Sequence, residues 1–160
     1  MQFPDRDKLQ KLLHKEKEVS RFGSQEKRVA ALIARCLSLL GSGKFIEAID
    51  EYYNAWNFFE SFRAQEPVSE AAALSAQLRS VHERIFKEIA REIDICCAGD
   101  KYNKAMYLYE TLRLFHDNAR KYLDDSTHQT YFKRMQEIYN SMISIYKLHN
   151  PAGSAEAQDA

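Results

Sequence analysis

Apolar residues recur along this chain at the three- and four-residue spacing that places side chains on one face of an α-helix. A first stripe predicts a helix from about Ser24 to Leu40, and a second carries another helix to about Arg63. The positions of the two stripes are Val29, Leu32, Ile33, Cys36 and Leu39, then Phe45, Ala48, Ile49, Tyr52, Ala55, Trp56, Phe59 and Phe62. Only Gly41-Ser42-Gly43 separates them, and because a loop this short joins neighbouring antiparallel helices, the pattern predicts a helical hairpin.

The second half of the chain repeats this pattern. Pro67 ends the first hairpin, and Ser69 is the predicted N-cap of a long helix that breaks at Gly99-Asp100. A further helix follows the break. The stripe positions of these two helices are Leu74, Leu78, Val81, Ile85, Ile89, Ile93 and Cys96, then Tyr102, Ala105, Met106, Tyr109, Leu112 and His116.

The last predicted helix covers 126–148. Ser126 and Gln129 have the spacing of a capping box at its start, and Asn150-Pro151 ends it. Its apolar positions form a heptad-like seam of Tyr131, Met135, Ile138, Met142 and Ile145. We therefore predict an all-α fold of antiparallel helical hairpins, an array or bundle of about five to six helices. It forms a single domain over 1–150, and a disordered tail follows over 151–160.

The amino-terminal segment allows two interpretations. Leu9, Leu12, Leu13 and Phe22 form a short stripe within a charged stretch, where residues 1–28 hold eight basic and five acidic side chains. One interpretation is a helix that docks its leucines on the bundle. The other makes 1–23 a separate docking helix or arm, which binds a partner or, weakly, a membrane surface. Gly23 leaves open whether residues 5–40 form one helix or two.

An internal repeat appears when the chain is shifted by 57 residues. The shift places Lys44-Phe45 on Lys101-Tyr102, and Ala48 on Ala105. Further superposed pairs are Ile49 and Met106, Tyr52 and Tyr109, Phe58 and Phe115, Leu32 and Ile89, and Cys36 and Ile93. A repeated helix–turn–helix with a small residue early in the second helix is typical of stacked helical hairpins.

The segment Gly43-Lys44-Phe45-Ile46-Glu47-Ala48-Ile49-Asp50-Glu51-Tyr52-Tyr53-Asn54-Ala55 resembles the turn and second helix of a tetratricopeptide repeat. Cys36 stands where that family's first helix has a small residue. The match covers roughly Leu32 to Ala55, and the second copy follows it more loosely: Gly99 lies one residue further from its aromatic, Leu112 replaces the second alanine and Ile93 replaces the small residue. The resemblance implies a tetratricopeptide-like array of elongated hairpins with a role in protein–protein interaction.

Composition and charge exclude several classes of protein. The 23 basic and 23 acidic side chains give no net charge, so no global field attracts nucleic acid. Five glycines and three prolines leave few turns for a β-sandwich or barrel. The longest stretch without a charge, residues 138–146, is far shorter than the roughly 20 residues that span a bilayer. No signal peptide begins the chain, and three cysteines are too few for a disulfide scaffold, so we predict a cytoplasmic protein.

No motif in the chain predicts catalysis or a metal. A carboxylate stands three residues before only one histidine, Asp125 before His128, at a helix start where capping explains it. Cys96 and Cys97 are adjacent and lack the C-x-x-C spacing of a zinc site. Gly41-Ser42-Gly43-Lys44 resembles the end of a phosphate-binding loop, but Phe45 replaces the magnesium-binding hydroxyl. We therefore predict no catalytic residues, no metal and no cofactor.

The aromatic cluster of the second helix allows two interpretations: core packing against neighbours on both sides, or a protein-binding surface. Its rings wrap more of the circumference than one apolar face requires, and Trp and Tyr are favoured anchors at protein interfaces. The candidate partner-binding residues, there and in the second copy, are Tyr53, Trp56, Phe58, Tyr107 and Leu114.

We therefore predict a non-enzymatic interaction module, an adaptor or scaffold that binds another protein, itself, or both. The predicted site of self-association is the 126–148 helix. The alternative is a helical bundle that binds a small ligand where His82, His116 and the tyrosines converge, or an enzyme whose active site follows no known motif. Neither hypothesis predicts binding to nucleic acid, because contacts with phosphate groups need clustered cations.

Overall fold

Five α-helices follow one another along the chain in the computed structural model, which describes residues 5–151 and, for 14–22, only the helical backbone. They are α1 (Arg6–Gly41), α2 (Phe45–Phe62), α3 (Val68–Ala98), α4 (Tyr102–Asn118) and α5 (Asp125–His149), with short 3-10 turns at Arg63–Gln65 and Ala119–Lys121. The predicted all-α fold of about five to six helices is confirmed. Most of the predicted disordered tail, residues 152–160, lies outside the described residues.

Two predicted helix starts are wrong by one or two residues. α3 begins at Val68, because the carbonyl of Pro67 accepts the first helical hydrogen bond, from the Ala71 amide at 3.0 Å. Ser69 therefore lies inside the first turn. α5 is capped by Asp124, whose carboxylate accepts from the Thr127 amide at 2.7 Å, and not by a box at Ser126.

The two hairpin turns have the same backbone geometry 57 residues apart. The Lys44 amide donates to the Leu39 carbonyl at 3.0 Å, and the Lys101 amide donates to the Cys96 carbonyl at 2.8 Å. These bonds satisfy carbonyls that the end of each first helix would leave unpaired. The internal repeat predicted from the sequence is therefore present in the backbone of both turns.

Each turn passes through the left-handed region at one residue. Gly43 has φ 75° and its counterpart Asp100 has φ 60°. Glycine adopts this conformation without steric cost, and aspartate is among the few other residues that do so with some frequency. The second copy therefore makes the same turn although its glycine, Gly99, stands one residue earlier.

α3 is the central helix of the fold. It contacts all four other helices, while α2 packs on α1 and α3, and α4 packs on α3 and α5. Each hairpin thus covers one side of the next, as the repeat predicts. This arrangement leaves α2 and α4 with outward faces that no other helix of the described chain covers extensively.

The core lies along the predicted stripes. Cys36, Ala48 and Ala55 are fully buried, and the Cys36 thiol lies 3.2 Å from the Ala48 carbonyl oxygen, so small side chains bring α1 and α2 close together. The heptad-like seam of α5 is also used inside the chain. Tyr131, Met135 and Met142 are buried, and Ile138 and Ile145 pack against the core, so self-association through 126–148 would have to use another face of this helix.

Aromatic rings of α5 that lie beside the seam pair with rings of α4, and we call this row of pairs the aromatic ladder. Residues seven apart on each helix pair in antiparallel order: Tyr102 with Tyr146 at 5.0 Å, Tyr109 with Tyr139 at 5.4 Å, and His116 with Phe132 at 6.2 Å between ring centroids. Such pairs stabilise helix packing beyond simple area burial. The ladder thus fixes the register of α5 on the second hairpin.

Residues 5–13, at the amino-terminal end of α1, do not dock on the bundle. α1 continues without a break through Gly23, which answers the question of one helix or two over 5–40. Leu9, Leu12 and Leu13 are exposed, so the prediction that they pack on the bundle is wrong. Phe22, the fourth residue of that stripe, has a side chain outside the described residues. Among the described side chains of α1, Val29 is the first that is buried.

Candidate functional site

A groove of about 330 Å³ runs between α2 and α4, which both pack on α3. Three large apolar side chains stand open at its surface: Ile46 is 50% exposed, Tyr107 58% and Leu114 56%. The described residues that line it are Ile46, Ile49, Asp50, Tyr53, Tyr107, Glu110, Thr111, Leu114, Phe115 and Asn118. We call this feature the α2/α4 groove.

The helical repeat explains why these side chains share one groove. The buried stripes of α2 and α4 turn inward, so apolar residues that lie off the stripes face outward. Ile46 and Tyr53 are seven residues apart on α2, and Tyr107 and Leu114 are seven apart on α4. Residues seven apart lie on one face two turns from each other, so each helix contributes one wall.

The groove continues in both directions along the helices. Towards the first hairpin turn it opens into a cavity of about 570 Å³ that shares Tyr107 and Thr111 with it, and towards the end of α4 into one of about 640 Å³ that shares Tyr53 and Asn118. On this side the combined lining runs from Lys44, the N-cap of α2, to Asn57, a length of roughly 20 Å at 1.5 Å per residue. This length matches about four turns of a docked helix.

The central groove has acidic edges. Asp50 and Glu110 line it, and neither lysine nor arginine is among its described lining residues. Glu110 also binds Arg113 on the outer side of α4, at 2.8 Å. The two end cavities have mixed charge, because Lys44 and Lys104 line one and Arg120 and Lys121 the other, each beside carboxylates.

Tyr53 forms a fixed part of the groove wall. Its hydroxyl donates to the Phe115 carbonyl oxygen at 3.2 Å, and its ring packs against Phe115 and Tyr122. Burial, reinforced by the nearby hydroxyl of Tyr122, raises the pKa of Tyr53 above its usual value. The side chain therefore stays neutral and holds α2 to α4 at the floor of the groove.

The five predicted partner-binding residues separate into two groups. The structure brings Tyr53, Tyr107 and Leu114 together in the α2/α4 groove. Trp56 is only 1% exposed and stacks on Tyr122 with ring centroids 5.0 Å apart, so its choice as a contact residue was wrong. Phe58 is partly buried outside the groove, and the guanidinium of Arg28 lies 4.5 Å from its ring centroid.

Seven of the ten described lining residues were not predicted as contacts, and three of these, Ile46, Asp50 and Glu110, give the groove its apolar surface and its charge. Ile46 and Tyr53 show the same off-stripe spacing of seven as the chosen pair Tyr107 and Leu114, so a search for this spacing would have found Ile46. The carboxylates have no comparable signal. Asp50 and Glu110 line the same groove only because the second hairpin packs beside the first.

A layer of buried polar groups lies beneath the groove. The ring of Phe115 stacks on His82 at 4.4 Å, and His82 Nδ1 shares a hydrogen bond of 3.1 Å with the Tyr52 hydroxyl. Burial, together with the nearby His116, lowers the pKa of His82 to about 3. His82 is therefore neutral at physiological pH.

His116 and His128 continue this layer. Their rings stack at 3.8 Å, and His128 Nε2 donates to the His116 carbonyl oxygen at 3.1 Å. Burial and the neighbouring His128 lower the pKa of His116. The histidines do converge, as the small-ligand alternative supposed, but aromatic rings pack directly against them.

An ion pair ties α5 to α3 beside this layer. Arg134 donates to both carboxylate oxygens of Glu83, at 3.0 and 2.8 Å, and the Tyr131 hydroxyl donates to the same carboxylate. Partial burial would raise the pKa of Glu83, but these hydrogen bonds outweigh it and the net shift is downward. Glu83 is thus held in its charged form as a structural link.

Comparison of the chain with protein-family models, with curated proteins and with solved structures gives no match. Within residues 5–151, leaving aside the side chains of 14–22, no group of three or more histidine, cysteine, aspartate or glutamate residues is arranged to hold a metal ion. In the same part of the chain no helix has the length and hydrophobicity that crossing a membrane requires. The α2/α4 groove is therefore the feature on which a function can be argued.

Proposed function

We propose that this protein is a non-enzymatic interaction module of tetratricopeptide-like hairpins that receives an apolar segment of a protein partner in the α2/α4 groove. The observation that carries the proposal is the convergence of Ile46, Tyr107 and Leu114, each at least half exposed, on one groove. Scattered exposed apolar residues are normal on a soluble surface, whereas a contiguous apolar groove with polar edges is typical of a docking site.

The groove is also preformed. Tyr53 and Phe115 build its floor from the core outward, and their hydrogen bond ties α2 to α4. A rigid floor reduces the ordering cost that a partner would otherwise bear on binding. Aromatic and aliphatic side chains on rigid helices are the usual anchors of helix-in-groove recognition.

The cytoplasmic location predicted from the sequence belongs to this proposal. Cys36, Cys96 and Cys97 are free and buried. Burial raises the pKa of Cys36 to about 11, which keeps it in the unreactive thiol form. Free thiols in the core of a protein without disulfides support a reducing compartment.

A site-specific photo-crosslinker tests the proposed function. We would place a benzophenone amino acid at Leu114 in the protein expressed in its own host, and at Ile95 as a matched control, since Ile95 is 54% exposed but outside the groove. A polypeptide that crosslinks from position 114 and not from 95 is identified by mass spectrometry, and its affinity is measured by calorimetry. We expect Tyr107→Ala and Leu114→Ala each to weaken binding by about tenfold or more.

Two outcomes would contradict the proposal. One is equal crosslinking from positions 114 and 95, which would indicate non-specific contact. The other is a partner whose affinity is unchanged by both alanine substitutions, which would place its binding site elsewhere on the molecule.

A further inference from the structure

The amino-terminal end of α1 extends well past its partner helix. α1 has 36 residues and α2 has 18, which correspond to about 54 and 27 Å at 1.5 Å per residue. Residues 5–13, which we call the arm, lie at the far end of this extension. The leucines of the arm are exposed, Leu12 to 64% and Leu13 to 52%.

The arm has the pattern of a helix that docks into a groove. Leu9, Leu12 and Leu13 follow the i, i+3, i+4 spacing and so share one face of α1. Arg6, Lys8 and Lys11 flank this face, against Asp5 and Asp7 at the helix start. The carboxyl-terminal part of the arm, which contains the leucines, is therefore basic.

The arm and the α2/α4 groove are complementary in apolar surface and in charge. The leucines match the open apolar surface of Ile46, Tyr107 and Leu114. The lysines match the carboxylate of Asp50, which has no lysine or arginine beside it among the described lining residues of the central groove, and add to the pairing that Glu110 already makes with Arg113. Both are apolar surfaces that the described part of a single chain leaves uncovered. A contact between the arm and the groove would bury both apolar surfaces at once.

We infer that the occupant of the α2/α4 groove is the arm of a second copy of this chain. The arm does not reach its own groove, because α1 is an unbroken helix that continues past the end of α2 at Phe62, whereas the groove begins near the opposite end at Ile46. A contact of arm with groove made in both directions gives a closed dimer with two equivalent contacts. The inference rests on the proposed function of the groove as a docking site.

Self-association of the full chain tests this inference. Sedimentation velocity over a dilution series should give a mass above the 18.6 kDa of one chain, falling to that mass at low concentration. The double variant Leu12→Glu/Leu13→Glu removes the arm contact, and Leu114→Glu removes the groove contact. We expect each variant alone to associate about tenfold more weakly or not at all.

Mixing the two variants makes the test specific. The arm variant keeps an intact groove, and the groove variant keeps an intact arm. The two variants should therefore associate with each other in a mixture more strongly than either associates with itself. Val68→Glu and Leu148→Glu are matched controls, since both residues are highly exposed and apolar but lie outside the arm and the groove. Both controls should associate like the unsubstituted chain, and circular dichroism should show equal helix content in every variant.

The outcomes separate this inference from the proposed function. An unsubstituted chain that stays monomeric overturns the second copy as occupant, and if that monomer binds anionic vesicles only when Leu12 and Leu13 are present, the arm binds membranes instead. Association that needs the arm but survives Leu114→Glu places the arm on another surface. A foreign polypeptide crosslinked at position 114 of a monomer leaves the groove's proposed function standing and removes only the self-docking.

Discussion

At the scale of single residues, His82 shows how the core constrains chemistry. Its ring is 1% exposed and lies between Phe115 and Tyr131, at centroid distances of 4.4 and 4.6 Å. Water cannot solvate a proton added there, so burial favours the neutral ring. The histidine serves as a polar core residue, and its ring packs against Phe115, a residue that lines the groove.

This burial predicts a loss of stability in acid. The pKa of His82 is about 3 in the folded chain, against an ordinary value near 6.5, so between these values the unfolded state binds a proton that the folded state does not. The free energy of unfolding should therefore fall as pH decreases below 6.5, by up to about 1.4 kcal/mol per pH unit for this one group. His116, whose pKa is also lowered, adds to the effect in the same direction.

Urea unfolding between pH 7 and 5.5 measures this dependence, since an ordinary carboxyl group is still ionised in the unfolded chain over that range. In His82→Phe, the slope of the free energy of unfolding against pH should decrease by the equivalent of about one bound proton. The variant also loses the hydrogen bond to Tyr52, which lowers its stability at every pH. An unchanged slope in His82→Phe would mean that His82 titrates normally and is solvated.

At the scale of elements, the turns decide how the hairpins form. Both turns end a long first helix with the same pair of backbone bonds, and both need one residue with positive φ. The repeat is therefore a repeat of backbone geometry more than of residue type, because Gly43 in the first copy corresponds to Asp100 in the second. Aspartate pays a conformational cost there, but its carboxylate gains contacts with Tyr102 and His149, at 3.1 and 2.9 Å.

The first turn offers a clean test of this conformational requirement. A Cβ built on Gly43 meets no atom within 4 Å, so Gly43→Ala adds no clash and changes only the backbone preference at φ 75°. We expect the free energy of unfolding to fall by about 1 kcal/mol. Gly41→Ala is the matched control, because Gly41 lies in the helix with equally open space and should be neutral or stabilising. Thermal or urea unfolding compares the two, and equal effects would rule out the backbone explanation.

At the scale of the whole molecule, the packing of one hairpin on the next creates the groove. α2 buries its stripe against α1 and α3, and α4 buries its stripe against α3 and α5. The groove lies between the outward faces that remain. Stability and binding should therefore depend on different residues of the same helix. Leu112 is fully buried and Leu114 is more than half exposed, although only two positions separate them.

These two leucines give a paired prediction. Leu112→Ala should lower the free energy of unfolding by about 2–5 kcal/mol through the cavity it leaves, whereas Leu114→Ala should change it by less than about 0.5 kcal/mol. Affinity for the groove partner should show the reverse order. Among variants that stay folded, Leu114→Ala should weaken binding more than Leu112→Ala. A large destabilisation by Leu114→Ala would show that this side chain belongs to the core and not to a binding surface.

The pattern of apolar positions by itself determined the helices, the hairpins and most of the core of this protein. The helical spacing of apolar residues does not depend on the identity of the neighbouring helix, because one face of each helix must be buried whichever neighbour covers it. The repeat at 57 residues likewise followed from local residues, since a turn depends on a few adjacent backbone conformations. Tyr107 and Leu114 could be chosen as surface contacts for the same reason: they lie off the stripes.

Only the tertiary structure decided how those outward faces meet. Phe58 is partly covered by Arg28, a residue distant in the sequence, so no local pattern could show its burial. Trp56 lies on the apolar stripe of α2, and the structure shows that this stripe position, which stacks on Tyr122, is closed to a partner. Asp50 and Glu110 become neighbours in one groove only through the placement of α4 beside α2. Local spacing determines which face of a helix is apolar, whereas the packing of helices far apart in the chain determines which apolar face stays open to a partner.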